Sequence, residues 1–357
     1  MNFSLSEEQR MLQETIRGFV ENECPLSRLR EIFDGESDYD AELWRGLAEM
    51  GLAGLTVPEQ YGGAEMELLE LALVAEVLGA GAVPSPFLGH SLATLAIQLG
   101  GDDAQKERWL PDLASGACIA TVAMGEAGGR WDPSEWQLDV EDGRLSGTKT
   151  YVTSAEVADW IVISLAGGRL AVVARDANGV KIEPVDSADR TRRSSTVRFE
   201  NTPAEVLAHP VGERVRDAGL ILLAADALGG GWRLVEMSTD YAKTREQFGR
   251  KIGEFQAVKH QLANMAIQVE PGRALLWYAA HAFDHIQGDA EHAAAMAKSH
   301  ITDRYTQVSR DAVEIYGGIG LTWECEVHMW LKRALFDRAW LGLPQLHRER
   351  AAKLSGW

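Results

Sequence analysis

Apolar residues in the first third of the chain, residues 4–120, recur at the spacing of amphipathic helices. In the first segment they return every three or four positions over residues 11–19, which places them on one helical face. Ser4 or Ser6 can cap this helix, and Pro25 ends its pattern. Further helices are predicted at about residues 41–50, 66–80, 90–99 and 103–114.

Short runs of β-branched and aromatic residues replace the helical pattern from about residue 119. These runs are Ile119–Met124, Gly147–Thr153, Trp160–Ser164, Leu170–Ala174 and Thr196–Phe199. Turn-forming segments such as Glu141-Asp142-Gly143 and Ala177-Asn178-Gly179 separate them. Short strands joined by Gly and Asn turns are typical of an antiparallel β domain.

Long helical patterns return at about residue 213. One apolar stripe runs from Phe255 to Val269, and the dipeptide Pro271-Gly272 is predicted to end or kink that helix. Another long helix is predicted from Ala290 to about Tyr316. The fold class is therefore α+β. The predicted domains are an N-terminal helical domain (1–118), a middle β domain (119–212) and a C-terminal helical domain (213–357).

Composition narrows the range of partners. The 357 residues include 35 Lys+Arg and 53 Asp+Glu, a net charge of −18, which disfavours nucleic acid and anionic membranes. The longest apolar stretch, Ala218–Ala225, is far shorter than the roughly 20 residues of a membrane helix, and no signal-peptide pattern opens the chain. The three cysteines, Cys24, Cys118 and Cys325, form no CxxC pair, so we expect neither a disulfide framework nor a metal site. The sequence predicts a cytoplasmic protein.

Common motifs of catalysis and cofactor binding are absent from the chain. GxGxxG, GxxxxGK[ST], HExxH and GxSxG do not occur. Rossmann dinucleotide binding, P-loop chemistry, zinc proteolysis and the α/β-hydrolase nucleophile therefore lack their signals. Residue patterns alone indicate a helical and β protein without naming its chemistry.

A resemblance to a known family supplies that chemistry. The segment Tyr241–Gln256, YAKTREQFGRKIGEFQ, resembles the acyl-CoA dehydrogenase signature nearly letter for letter. Val57–Gly63, Gly147–Ser154 and Ile315–Gly320 resemble the same family in order and spacing. The resemblance covers almost the whole chain. It implies an N-terminal helical domain, a middle β domain and a C-terminal four-helix bundle, FAD bound without a Rossmann fold, an acyl-CoA substrate, and electron-transferring flavoprotein as acceptor.

The family's cofactor contacts carry over by position. Arg245 would meet the pyrophosphate of an FAD held mainly by a neighbouring subunit, since the planar guanidinium offers paired donors to phosphate oxygens. Phe248 and Gln256 would flank the same cofactor. Gly317 and Gly318 would let the backbone approach its ADP portion closely.

The half of a flavin site that would lie within the same subunit is altered. Tyr151 and Thr153 stand where an aromatic ring and a hydroxyl would contact the flavin ring. However, the preceding loop, Met124–Pro133, departs from the family pattern. Gly125 replaces a residue whose hydroxyl would bond the flavin, and a downstream serine is missing. The resemblance therefore implies that the chain contributes intact residues to a neighbouring subunit's flavin site, whereas its own flavin site is weakened.

The catalytic base is also missing. In this family a glutamate removes the α proton of the acyl-CoA while the β hydride passes to the flavin. The two positions used by family members fall on Leu341 and Gly219, and neither residue can take a proton. Two weak substitutes remain. Asp226 lies two helical turns, about 10 Å, beyond Gly219, and Glu324 lies in the loop after the glycine turn.

These departures predict a subunit that lacks the base. The chain resembles the base-lacking subunit of heterotetrameric acyl-CoA dehydrogenases of bacterial steroid side-chain degradation, whose homologous partner would supply the glutamate. Trp323–Trp330 resembles a stretch common to that group. The alternatives are a self-sufficient homotetramer with a displaced base, a non-catalytic structural partner that binds flavin or acyl-CoA, and a flavin-dependent oxidase or monooxygenase. The identity of the acyl chain stays open.

Overall fold

The computed structural model describes residues 4–37 and 39–357, and their first part is helical. The helices are α1 (Glu7–Glu23), α2 (Leu26–Asp34), α3 (Ala41–Glu49), α4 (Leu68–Ala80), α5 (Phe87–Gly100) and α6 (Asp103–Ala114). Ser6, rather than Ser4, caps α1, in a reciprocal pair of backbone-to-side-chain bonds with Gln9. Pro25 does end the first pattern, but it also opens α2, a helix too short for the periodicity to reveal.

The middle region, described without a gap from residue 119 to residue 206, contains two four-stranded sheets. The strands are β1 (Ala120–Ala123), β2 (Val140–Glu141), β3 (Arg144–Thr153), β4 (Trp160–Ser164), β5 (Leu170–Ala174), β6 (Val180–Val185), β7 (Ser194–Pro203) and β8 (Glu205–Val206). Their orders are β1-β4-β5-β8 and β2-β3-β7-β6. Side chains from both sheets, among them Val152, Ile163 and Phe199, form one apolar cluster.

The prediction of a purely antiparallel domain was wrong at one pair of strands. β1 and β4 run parallel, with Ala120 opposite Trp160, whereas the other strand pairs of these described sheets are antiparallel. After β1 the chain crosses to the second sheet, forms β2 and β3 there, and returns to enter β4 in the same direction as β1. Strands joined by a crossover rather than a hairpin can be parallel.

Long helices form the last part of the chain. They are α7 (Gly212–Thr244), α8 (Gln256–Val269), α9 (Pro271–His285), α10 (Gln287–Tyr316), α11 (Val327–Ala339) and α12 (Pro344–Leu354), with a hairpin of β9 (Glu246–Gln247) and β10 (Arg250–Lys251) after α7. The predicted break is confirmed, because α8 ends at Val269 and Pro271 begins α9. The bundle consists of α7, the interrupted α8–α9 pair, α10 and α11, with α12 packed against α10.

Helix α7 is the central element of the fold. It is long and apolar enough to cross a membrane, although its longest uninterrupted apolar run is short, and 89% of its most apolar window is buried inside the protein. α4 approaches it closely, since a β carbon on Gly229 would lie 1.8 Å from the carbonyl oxygen of Glu76. α7 is therefore a core helix, and one apolar core joins it to the N-terminal helices and to the β1 sheet. The domain boundaries at 118/119 and 212/213 stay a prediction.

Candidate active site

The signature segment and the glycine turn, far apart in the sequence, line one concave surface. Arg245, Gly317 and Gly318 share a cleft of about 400 Å³. A stack of two rings, Tyr241 on α7 and Tyr316 at the end of α10, joins the two segments with ring centroids 4.1 Å apart. Burial raises the pKa of Tyr316 to about 12, so its hydroxyl stays protonated and donates to the carbonyl of Met237. The stack brings the guanidinium and the glycine backbone to the same place.

The side chains of the signature segment are open to solvent. Arg245 is exposed, and within residues 4–37 and 39–357 its guanidinium has no ion-pair or hydrogen-bond partner. Phe248 is 92% exposed on the β9–β10 hairpin and has a positive φ of 54°. Gln256 is exposed at the start of α8. Phe248 and Gln256 lie beside the cleft of Arg245 rather than in its lining. Phe248 contacts the ring of Phe255, with centroids 6.2 Å apart, and is otherwise open to solvent. An exposed cation beside an exposed aromatic ring is typical of a surface that another molecule covers.

Two glycines at the end of α10 leave the cleft open. A β carbon on Gly317 or on Gly318 would meet no other atom within 4 Å, and Gly317 has a φ of 65°. The backbone of this turn is therefore accessible to a ligand that has to approach it closely. Together with the unpaired Arg245, the turn fits the pyrophosphate and ADP portions of a flavin dinucleotide.

A second, larger cleft lies where the chain's own flavin ring was expected. Its volume is about 860 Å³, and Trp131, Tyr151, Phe336 and Trp340 contribute to its lining. Tyr151 is 52% exposed and contributes to this lining. Thr153 is instead buried, and its hydroxyl faces α5, 3.3 Å from a β carbon placed on Gly89. In the described structure the Thr153 hydroxyl has no hydrogen-bond partner. Only one of the two residues expected at the flavin ring lines this cleft.

Two indoles narrow this second cleft. The Trp131 ring lies 6.1 Å from that of Tyr151 and 6.0 Å from that of Trp340. Trp340 Nε1 donates to the carbonyl of Tyr151 over 2.9 Å. A β carbon on Gly125 would lie only 2.8 Å from Cη2 of Trp131. The indole therefore covers Gly125, the position at which the resemblance implies a hydroxyl toward the flavin. Sequence reasoning missed this role of Trp131 and Trp340, although Trp131 lies in the loop that departs from the family pattern.

The loop that carries Trp131 is anchored by the residue that follows it. Asp132 lies 3.5 Å from Arg216 on α7 and 3.4 Å from Arg350 on α12. Burial alone would raise the pKa of Asp132, but hydrogen bonds from Ser134 and the two guanidinium groups lower it. The carboxylate thus connects the loop to the start of α7 and to α12. These ion pairs keep the Trp131 indole in place.

The two expected base positions meet in space. Leu341, in the loop between α11 and α12, is 1% exposed, and its Cδ1 would lie 2.5 Å from a β carbon on Gly219 of α7. Leu92 of α5 packs 3.4 Å from the same point. An apolar contact thus fills the place where the base of a related enzyme would act.

Asp226 belongs to a buried ion cluster. Its carboxylate accepts hydrogen bonds from Arg333 at 2.9 and 2.7 Å and from Arg192, and Arg192 also donates to Asp337 at 2.6 Å. Although burial opposes ionisation, the two guanidinium groups hold the pKa of Asp226 far below its usual range, whereas burial and the neighbouring Asp226 charge raise the pKa of Asp337. A carboxylate held by two arginines is a poor proton acceptor, which removes Asp226 as a substitute base.

Glu324 lies at the other end of α11 from Leu341. Helix α11 separates them, and its 13 residues span about 20 Å at 1.5 Å per residue. Glu324 is exposed, and hydrogen bonds from its own backbone N–H and from Thr322 lower its pKa. Its carboxylate therefore cannot reach the Leu341–Gly219 contact without a rearrangement of the helix.

Comparisons with known proteins match both helical parts of the chain to one family. Residues 6–117 match the acyl-CoA dehydrogenase N-terminal domain, and residues 217–355 match the acyl-CoA dehydrogenase C-terminal domain. The acyl-CoA dehydrogenase IpdE2 of Mycobacterium tuberculosis is 34% identical over 330 residues, which cover 92% of this chain and 91% of the relative.

Two solved structures share the whole fold. A variant of the Tcur3481-Tcur3483 steroid ACAD has a TM-score of 0.91 and 31% identity, and the match covers 99% of both chains. The ChsE4-ChsE5 complex from Mycobacterium tuberculosis has a TM-score of 0.90 and 27% identity, and the match covers 99% of this chain and 98% of the other. The chain belongs to the acyl-CoA dehydrogenase family, whose members are FAD-dependent oxidoreductases that act on the CH–CH group of acyl-CoA thioesters.

Proposed function

We propose that this chain completes the FAD site of a homologous acyl-CoA dehydrogenase subunit and supplies no catalytic base of its own. The observation that carries the proposal is the apolar contact between Leu341 and Gly219, the two positions at which the resemblance predicts a base. The open cleft of Arg245, Gly317 and Gly318 supports the other half of the proposal, because it is available to a ligand from outside the chain.

This chain's residues would hold the nucleotide end of the cofactor. Arg245 would bind the pyrophosphate through its fork of donors, and the backbone of Gly317 and Gly318 would lie against the ADP portion. When bound, FAD supplies the acceptor for the substrate's β hydride. The second cleft is less suited to a dinucleotide. Trp131 covers Gly125 there, and acidic side chains that include Asp186 and Glu349 line it, where they would repel a pyrophosphate.

A partner is needed for the rest of the reaction. The proton acceptor and the ring half of the site would come from a homologous subunit, in a heterotetramer of two chains of each kind. The related structures support this assembly, since one is described as a complex and the other names two proteins and a steroid. We propose a CoA thioester of a steroid side chain as substrate, electron-transferring flavoprotein as acceptor, and the cytoplasm as location. A partner would also help to bind polyanionic CoA, because this chain carries a net charge of −18.

Co-expression tests the assignment. The chain is purified alone and with a candidate partner that carries a glutamate at either base position, and flavin absorbance and acyl-CoA dehydrogenation are measured. We expect little flavin and no turnover from the chain alone, and both from the complex. Replacing the partner's glutamate with glutamine serves as the matched control, because turnover should be lost while flavin is retained. Full flavin occupancy and turnover by the isolated chain would overturn the proposal.

A further inference from the structure

The loop between α11 and α12 is held by two buried donors that the proposed function does not use. Lys298 of α10 is fully buried, and its Nζ donates to the carbonyl of Trp340 over 2.9 Å and to that of Asp337. His347 of α12 is also buried, with Nε2 lying 2.9 Å from the carbonyl of Leu341. Because a carbonyl only accepts, Nε2 carries the proton of the neutral ring. Side chains from two helices thus form hydrogen bonds with two consecutive carbonyls of one loop.

This loop has an unfavourable backbone conformation. Leu341 has a φ of 59°, in the left-handed region that side-chain-bearing residues rarely adopt. Trp340 extends from the same loop to the carbonyl of Tyr151, and Tyr151 itself has a φ of 56°. Two strained residues on different elements are therefore connected through one indole. Strained residues persist only where the surroundings hold them in place.

Burying these two polar side chains costs desolvation free energy, which indicates that their hydrogen bonds stabilise the loop conformation. Burial lowers the pKa of Lys298 to about 7, with Asp337 acting against the shift and Arg338 and Arg192 adding to it. Burial, with a contribution from the nearby Lys298, lowers the pKa of His347 to about 3. An apolar side chain of the same size would avoid this desolvation. Among the described residues, Lys298 Nζ and His347 Nε2 form their hydrogen bonds with the carbonyls of this loop and of the adjoining end of α11.

We propose that Lys298 and His347 are positioning residues that lock the loop Trp340–Leu343 in a closed form, with Leu341 on Gly219 and Trp340 on Tyr151. The lock keeps a flavin ring out of the chain's own cleft. The exclusion of a flavin ring rests on the proposed function, in which the partner subunit holds that ring. The lock itself concerns this chain alone. Lys298 and His347 thus determine whether the flavin ring lies in this chain's own cleft or in that of the partner subunit.

Hydrogen exchange of the isolated full-length chain tests the lock without a partner or a cofactor. The amides of Trp340 and Gly342, which donate to the carbonyls of Phe336 and Ala339, report on the loop. In Lys298→Met we expect these amides to exchange at least tenfold faster, while the midpoint of global unfolding is unchanged or higher because a buried amine has been removed. Lys353→Met, an exposed lysine on α12, is the matched control and should change neither quantity.

His347 provides an independent pair of variants. His347→Leu deletes the donor and should speed exchange of the same amides, while His347→Gln retains an N–H donor and should restore their protection. Unchanged loop exchange in both Lys298→Met and His347→Leu, or acceleration spread evenly over the fold, would overturn the lock. Flavin titration completes the test. The isolated Lys298→Met chain should retain more FAD than the wild-type chain. If loop exchange is faster but FAD retention does not rise, the lock stands, its effect on the flavin ring is refuted, and the proposed function is unaffected.

Discussion

Leu341 lies directly on Gly219, although the two residues belong to different elements and mark two alternative positions for the family's base. A β carbon on Gly219 would lie 2.5 Å from Cδ1 of Leu341. The two positions were counted from separate landmarks, the glycine turn and the signature segment, and they meet at one point of the fold. That both positions are the family's base positions stays a prediction. Their meeting means that a side chain at either position would compete for the same space.

Installing a carboxylate at this point should not create a working base in the chain alone. We expect Leu341→Glu to lower the free energy of unfolding by about 3 kcal/mol or more, because the charge would be buried among leucines. Burial would raise the pKa of the new carboxyl above its unfolded value near 4.3, so the loss should grow as the pH rises above that value. Urea unfolding at pH 5 and pH 8 measures it. Leu341→Met keeps the volume, and should cost less than about 1.5 kcal/mol at both pH values. Equal losses for the two variants would contradict the buried-charge explanation.

Arg245 should decide how firmly the complex with a catalytic partner retains flavin. Loss of charge-assisted hydrogen bonds worth about 1.5–3 kcal/mol predicts FAD binding about 10- to 100-fold weaker in Arg245→Gln. Flavin titration of the apo complex measures the change. Arg250→Gln is the control, since that guanidinium lies on the hairpin that follows Arg245, 4.1 Å from the ring centre of Phe255. A similar loss in both variants would point to the hairpin's conformation rather than to a contact of Arg245.

Asp226 should be important for stability rather than for proton transfer. Asp226→Asn would leave Arg192 and Arg333 poorly compensated in the core, and we expect it to cost about 3–5 kcal/mol. The native pKa of Asp226 is depressed, so its contribution is fully present above the unfolded pKa near 3.9 and is lost as the pH falls below it. The cost of the variant should therefore shrink in acid. Asp240→Asn, an exposed position on the same helix, should change stability by less than about 0.5 kcal/mol. A stable Asp226→Asn chain whose complex has lost turnover would restore Asp226 as a base.

The Trp131 indole should stabilise the loop that covers Gly125. Trp131 is 9% exposed, and large-to-small substitution of a buried tryptophan predicts a loss of about 3 kcal/mol for Trp131→Ala. Thermal or urea unfolding measures the loss. Trp357→Ala removes an indole that is 94% exposed, and should be nearly neutral. A neutral Trp131→Ala would show that the indole does not fill this half of the cleft.

Periodicity and motifs determined the parts of the structure that depend on local sequence. The order of helical, β and helical regions was predicted from changes in period, and the Pro271 break follows from proline's missing N–H and fixed φ. The signature segment identified the family because it preserves residue types in a fixed spacing. Counting from it also led to the prediction that the base positions fall on Leu341 and Gly219, without any knowledge of the fold.

Tertiary structure decided what depends on residues distant in sequence. The parallel pairing of β1 with β4 requires the intervening chain to cross between sheets, and no local pattern records that crossing. The sequence placed Asp226 two turns from Gly219, but only the fold shows that arginines from a loop and from α11 hold its carboxylate. Trp131 was visible as a departure from the family pattern, yet its indole covers Gly125 only because the loop folds back. Sequence thus determined which residue types stand at the predicted site positions. Packing determined what each of those residues contacts, because side-chain direction and long-range contact are set by the assembled core.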